Sequence, residues 1–233
     1  MSEQHIASAF DRDLETIQGL IMRMGGLVEH AIHQAAKALE ERDEELAEQV
    51  RLGDKAIDEL EEQINEEAAR LLALRAPMGL DLRVVLSVLK IAANLERVGD
   101  YAKNIAKRTP VLAQHDPING SGAALRRMAR EVEAMLKDAL DAYIQRDDTL
   151  AEEVRQRDRD VDQIYNGLFR EFLTYMMEDQ HNITLCMHMH FIAKNIERMG
   201  DHVTSISEQV IYLVTGSTPD ESRPKGDPAP YET

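Results

Sequence analysis

Displaced by 104 positions, the sequence lies on itself. Met24–Asp58 set against Met128–Asp162 gives 14 identities in 35 pairs, where average residue usage would give roughly one match in fifteen. The matches include Arg42-Asp43 with Arg146-Asp147, and Leu46-Ala47-Glu48 with Leu150-Ala151-Glu152. Further on the offset shortens to 101, and Asn94-Leu95-Glu96-Arg97-Val98-Gly99-Asp100 returns as Asn195-Ile196-Glu197-Arg198-Met199-Gly200-Asp201. The chain is therefore an internal duplication, and its fold must be built from two equivalent halves.

The apolar periodicity says what each half is made of. Phe10, Leu14, Ile17, Ile21, Met24, Val28, Ala31, Ala35 and Ala38 step by three and four, which marks a long helix with a narrow apolar seam. Leu46, Val50, Ile57, Leu60, Ile64, Leu71 and Leu74 give a second helix, with Arg42-Asp43 as the turn before it. Pro77 and Gly79 punctuate the chain. Val84, Val88, Ile91, Leu95, Val98, Ala102 and Ile105 then form a third helix, ended by Thr109-Pro110. The pattern restarts after a Pro- and Gly-bearing stretch, and Ile192, Ile196, Met199, Val203, Ile206, Val210 and Leu213 supply the seam of the sixth helix. The expected fold is all-α: two tandem antiparallel three-helix bundles. Residues 1–112 form the first repeat, 113–122 a linker, 123–215 the second repeat, and 216–233, with little to bury, a disordered tail.

Composition excludes several functions. With 43 acidic residues against 27 basic ones the net charge is −16, unsuited to nucleic acid, whose recognition needs basic patches that displace counterions. A single cysteine, Cys186, allows no intrachain disulfide. The opening stretch lacks the layout of a signal peptide, and no apolar run approaches the length of a membrane span. A cytoplasmic protein is expected, with any membrane association made through partners. A homodimer through leftover apolar seam is compatible with the pattern.

The carboxylates carry the strongest chemical signal. Four pairs follow the pattern of an acidic residue four positions before an aspartate: Asp54/Asp58, Glu96/Asp100, Asp158/Asp162 and Glu197/Asp201. Residues four apart share a helix face, and all four pairs fall at repeat-equivalent positions. Counted from the bend near Met78, Asp58 and Glu96 lie at similar heights on neighbouring antiparallel helices, as do Asp54 and Asp100. Around Asp179, Asp162 pairs with Glu197 and Asp158 with Asp201 in the same way. Each repeat is thus expected to gather four carboxylates in one patch on the bundle surface. Two readings follow: solvated ion pairs with Arg97, Arg51, Lys55 and Lys103, or hard cations held by oxygen ligands. Gly99 and Gly200, each inside a helix at a cost of about 1 kcal/mol, would let a neighbouring helix or a bound ion come close.

Two copies of Asn-(Leu/Ile)-Glu-Arg-(Val/Met)-Gly-Asp, the segment Pro77-Met78-Gly79-Leu80-Asp81-Leu82-Arg83 at the entry to the third helix, and the tandem three-helix repeat together resemble the PhoU family of phosphate-signalling proteins. The resemblance covers residues 5–214. It departs from the pattern at Ser205, which replaces the asparagine found at Asn104, and at residues 178–184, which lack the proline and the Asp-Leu-Arg. It implies a non-enzymatic cytoplasmic regulator that damps phosphate uptake and the phosphate-starvation response. Its implied partners are the phosphate ABC transporter, through its ATPase, and a membrane sensor histidine kinase. Metal clusters in some members sit on surface acidic motifs, which here fall on Asp54, Asp58, Glu96, Asp100, Asp158, Asp162, Glu197 and Asp201; iron, manganese, magnesium and zinc all stay open.

Two other readings compete. A ferritin-like di-metal enzyme needs inward-facing Glu residues and two Glu-x-x-His motifs; only Glu178 to His181 fits, at a helix junction. A purely structural helical adaptor predicts the same fold without stoichiometric metal. Cys186-Met187-His188-Met189-His190 resembles a soft-metal site, but on a helix these side chains fan around the axis, which makes packing the expected role. His30 and His33 have Ala134 and Lys137 as repeat counterparts and are read as surface residues. No nucleophile-base pair or phosphate-cradling glycine loop is evident, and no catalysis is expected.

Overall fold

A computed structural model describes residues 2–118 and 120–219, with side chains from Phe10 onward. Six long helices dominate: α1 (Ser2–Glu41), α2 (Glu44–Arg75), α3 (Leu80–Ala106), α5 (Ser121–Gln145), α6 (Asp148–Glu178) and α7 (Ile183–Thr215). A short α4 (Thr109–Ala113) lies between the repeats, and a 3-10 turn (Gln180–Asn182) joins α6 to α7. The protein is all-α, as its periodicity predicts. No helix among the described residues is long and apolar enough to cross a membrane.

The first turn of each repeat is encoded by the duplicated Arg-Asp pair. Arg42 and Arg146 both adopt left-handed backbone, φ 57° and 56°, which closes α1 and α5. The aspartate that follows caps the next helix: Asp43 accepts from the Leu46 amide at 2.9 Å, and Asp147 from those of Thr149 and Leu150 at 3.0 Å. Such caps contribute about 1 kcal/mol each. The second turns differ. Ala76 and Gly79, both at positive φ, turn α2 into α3, whereas Asp179 is extended and its carboxylate accepts from the His181 amide at 2.9 Å. The missing proline and glycine of residues 178–184 are thus replaced by an Asp-capped turn.

One expected boundary moves: α3 ends at Ala106. Thr109-Pro110 opens α4 instead of ending α3, because proline suits the first turn of a helix, where its missing N–H costs nothing. Next to the expected linker, Leu112 is buried, so this connection is anchored to the core. Of the expected tail, residues 220–233 lie outside the described residues; Gly216 caps α7 at φ 83°.

Within each repeat the three long helices pack on one another, and α1 also packs on α5 and α3 on α7. The two bundles consequently share a single core. Moving fourteen residues forward along α3 and its exit, from Asn94 to Arg108, corresponds to moving fourteen back along α7, from His202 to His188, since Asn94 contacts His202 and Arg108 contacts His188. The two helices therefore run antiparallel, with the repeated motif in the middle of the contact.

Being central, α3 and α7 each meet three helices, and one seam is too narrow for that. Both carry a second stripe at seven-residue spacing: Val85, Ala92, Gly99 and Ala106 on α3, and Cys186, Ala193, Gly200 and Ser207 on α7, all buried. Small residues predominate in these stripes, which share a face with the motif glycines.

Candidate functional site

The site grows out of the close approach of α2 to α3 and of α6 to α7. A Cβ on Gly99 would stand 3.0 Å from Ile57 Cδ1 and 3.8 Å from Asp54 Oδ1; on Gly200 it would stand 3.1 Å from Asp158 Oδ1. The glycines thus admit the neighbouring helix, and with it the first aspartate of each repeat.

That approach corrects the expected surface placement. Asp54 and Asp158 are each only 5% exposed, because the seam of α2 and α6 turns them towards the glycine stripe. The other carboxylates line the rim above them: Glu96, Asp100, Asp162, Glu197 and Asp201 are half-buried, and Asp58 is exposed.

In the first repeat the expected juxtaposition forms. Lys103 Nζ donates to Asp54 Oδ2 and, at 3.0 Å, to Asp100 Oδ1, tying α2 to α3 at one height. Arg97 lies 3.5 Å from Glu96 and 3.8 Å from Asp100. Arg51 and Lys55, candidate counter-ions from the sequence, turn instead to Glu48 and Glu59. The cations do not fully compensate: burial, followed by repulsion from Asp100, pushes Glu96 up to about 7. Asp58 is raised as well, by desolvation and then by Asp54.

The second repeat solves the same problem with a different residue. Lys194 Nζ donates to Glu197 Oε1 at 2.7 Å and lies 5.1 Å from the Tyr165 ring centroid. Its repeat counterpart is Ala93, while the counterpart of Lys103 is Thr204. Comparing the repeats residue by residue would have found this exchange, but a reading focused on the matching positions passes over it. Burial raises the Glu197 carboxyl above its usual range, and Asp201 and Asp162 add to the shift against Lys194. Among the described residues Glu197 Oε2 is buried without a hydrogen-bond partner. Ser205 donates at 3.0 Å to the Asp201 carbonyl of its own helix.

Among the described residues no three His, Cys, Asp or Glu groups converge as the ligands of one ion. The donor set is of the type a hard cation takes, all carboxylate oxygen and partly desolvated, with Glu197 Oε2 lacking a donor among the described residues, although the groups do not converge on one point. Lys103 and Lys194 occupy the positions where such a cation would compete.

Several of the remaining candidates have packing or surface roles. Cys186 and Met189 are buried, and His190 stacks near Tyr165 and Phe169 with centroids 5.9 and 5.2 Å away. His181 is exposed and contacts Asp179, and His33 reaches Glu133 across the repeats at 3.4 Å.

Fold and site define a duplicated three-helix bundle with a carboxylate row along the central helix of each copy. The chain belongs to the PhoU family: the PhoU domain matches it twice, over residues 21–109 and 125–210. A phosphate-specific transport system accessory protein PhoU homolog from Rhizobium meliloti is 46% identical over 234 residues, covering 97% of this chain and 96% of that protein. One of the same description from Caulobacter vibrioides is 42% identical over 96% of this chain and 97% of its own length. The crystal structure of PhoU from Pseudomonas aeruginosa superposes with a TM-score of 0.86 at 39% identity, over 89% of this chain and all of that one. The phosphate transport system regulatory protein PhoU from Streptococcus pneumoniae gives 0.84 at 32% identity, over 91% of this chain and 100% of that one.

Proposed function

We propose that this protein is a non-catalytic regulator of phosphate uptake, which damps both the transporter and the starvation response by coupling the phosphate ABC transporter, through its ATPase, to a sensor histidine kinase. The observation that carries this reading is the near full-length match, 97% of the chain, to a phosphate-specific transport system accessory protein. The architecture supports it: two carboxylate rows on a rigid shared core present a surface suited to binding rather than to turnover.

The test is complementation in a bacterium lacking its own homologue and grown in excess phosphate. Phosphate uptake and a starvation-promoter reporter should both fall to the level of the intact strain. A well-expressed, folded protein that changes neither would overturn the proposal. Affinity capture should retain the transporter ATPase.

A cation on the carboxylate rows is part of this reading, favoured by the unpartnered Glu197 Oε2 and by Glu96 at about 7. Glu96, Asp100, Asp54 and Asp58 would hold it in the first repeat, and Glu197, Asp201, Asp158 and Asp162 in the second. Its occupancy would set the charge that a partner meets.

A further inference from the structure

We propose that the cleft between the C-terminal end of α3 and the N-terminal half of α7 binds a phosphate-type oxyanion, free or as the head of a small ester. Asn104, Lys107, Arg108, Val111, His188 and Asn195 line this cleft, whose volume is about 440 Å³. No carboxylate is among these residues, in a chain where acidic residues outnumber basic ones by 43 to 27.

Among the described residues the cations are positioned by groups other than carboxylates. Lys107 Nζ donates to Asn104 Oδ1 at 3.4 Å. Arg108 Nη1 donates to His188 Nδ1 at 3.2 Å, and its guanidinium lies 4.7 Å from the centroid of the Phe191 ring. Each of these partners is uncharged, because burial, with Arg108 and His115, lowers His188 from the usual imidazole range. With Nδ1 accepting, His188 keeps its proton on Nε2 as a donor. The backbone holds both cations at the helix junction, where the Lys107 amide donates to Lys103 O at 3.0 Å and the Arg108 amide to Ile105 O at 2.9 Å.

Two cations, a neutral imidazole and two carboxamides form a donor-rich set suited to an acceptor-only ligand with several oxygens. The cleft is larger than one orthophosphate requires, which leaves room for a second phosphoryl group or an ester substituent. The site spans the two repeats, because Asn104, Lys107 and Arg108 come from the end of the first and His188 and Asn195 from the second, so a ligand there would bridge them. The end of α7 does not repeat the arrangement: the counterpart of Asn104 is Ser205, and those of Lys107 and Arg108 are Glu208 and Gln209.

The inference does not rest on the transport reading, since it is tested on the purified full chain. Titration calorimetry at physiological ionic strength would compare orthophosphate, pyrophosphate and AMP. One saturable site per chain is expected, weakened at least about tenfold in Lys107→Gln/Arg108→Gln, the equivalent of losing one charged hydrogen bond. His188→Ala should weaken it separately. Lys55→Gln/Arg70→Gln, which removes surface cations paired with Glu59 and Glu67, should leave it unchanged. Tightest binding of orthophosphate would assign the free ion, and tightest binding of AMP a phosphate ester. No saturable binding of any probe, or equal binding by wild type and Lys107→Gln/Arg108→Gln with matching melting curves, would overturn the proposal.

Discussion

A Cβ placed on Gly200 would lie 3.1 Å from Oδ1 of Asp158, the buried aspartate of the neighbouring helix. A close approach of the neighbouring helix accounts for the glycine in each copy of the motif, through Asp158 at Gly200 and through Ile57 Cδ1, 3.0 Å away, at Gly99: a side chain there would crowd α6 against α7 or α2 against α3. Gly53, also inside a helix, has nothing within 4 Å of its would-be Cβ. Substitution to alanine should therefore act in opposite directions. Gly53→Ala should stabilise by about 0.5–1 kcal/mol through helix propensity. Gly200→Ala should destabilise by about 1–2 kcal/mol, as overpacking exceeds that gain. Urea midpoints at constant m-value would measure both, and a stabilised Gly200→Ala would contradict the packing account.

Lys103 holds Asp54 and Asp100 together. Lys103→Ala leaves Asp54, whose side chain is 6% exposed, as a buried charge without its cation, and should cost about 2 kcal/mol. Adding Asp54→Asn should recover most of that loss. Equal stability of the double and single variants would show that the pair carries little energy.

Glu96 makes stability depend on pH in a defined direction. Its folded-state value of about 7 lies above its usual 4.5, so the folded protein binds more protons than the unfolded chain between those limits. Stability contributed by protonated Glu96 is present below pH 4.5 and lost as pH rises through 7. In chelator-treated protein, Glu96→Gln should flatten this fall, by on the order of 2 kcal/mol between the acid and alkaline ends of that range. Denaturation curves across it would show the difference, and parallel wild-type and variant profiles would rule it out.

The repeats differ at one buried arginine. Arg155 is 4% exposed, and reaches Glu152 at 2.5 Å and Glu208 at 3.7 Å. Its counterpart Arg51 is exposed and pairs with Glu48 at 2.6 Å. Arg155→Ala should cost about 3 kcal/mol, whereas Arg51→Ala should change stability by less than about 0.5 kcal/mol. Thermal unfolding of the two variants would decide it.

Elemental analysis of protein purified without chelator tests the carboxylate rows as cation sites. Wild type should carry iron, manganese, magnesium or zinc at one equivalent or more. The variant Glu96→Gln/Asp100→Asn/Glu197→Gln/Asp201→Asn should carry none. A wild type that stays free of metal after supply of all four would leave the rows to helix packing and partner contact.

The helices, their duplication and the heights of the carboxylates are legible without coordinates. These are local or arithmetic properties: apolar spacing at three and four fixes a helix face, and rise per residue fixes how far along two joined helices a pair must meet. Asp54 and Asp100 meet through Lys103 as that arithmetic requires. Which faces become interior is set by packing. The second stripe on α3 and α7 has meaning only once each helix has three neighbours, and it is that crowding which buries Asp54 and Asp158. Packing likewise selects Lys194, whose repeat counterpart is Ala93, as the cation for Glu197. The cleft of Lys107, Arg108 and His188 joins Arg108 to a residue eighty positions away, and no periodicity encodes a contact made by two helices of different repeats.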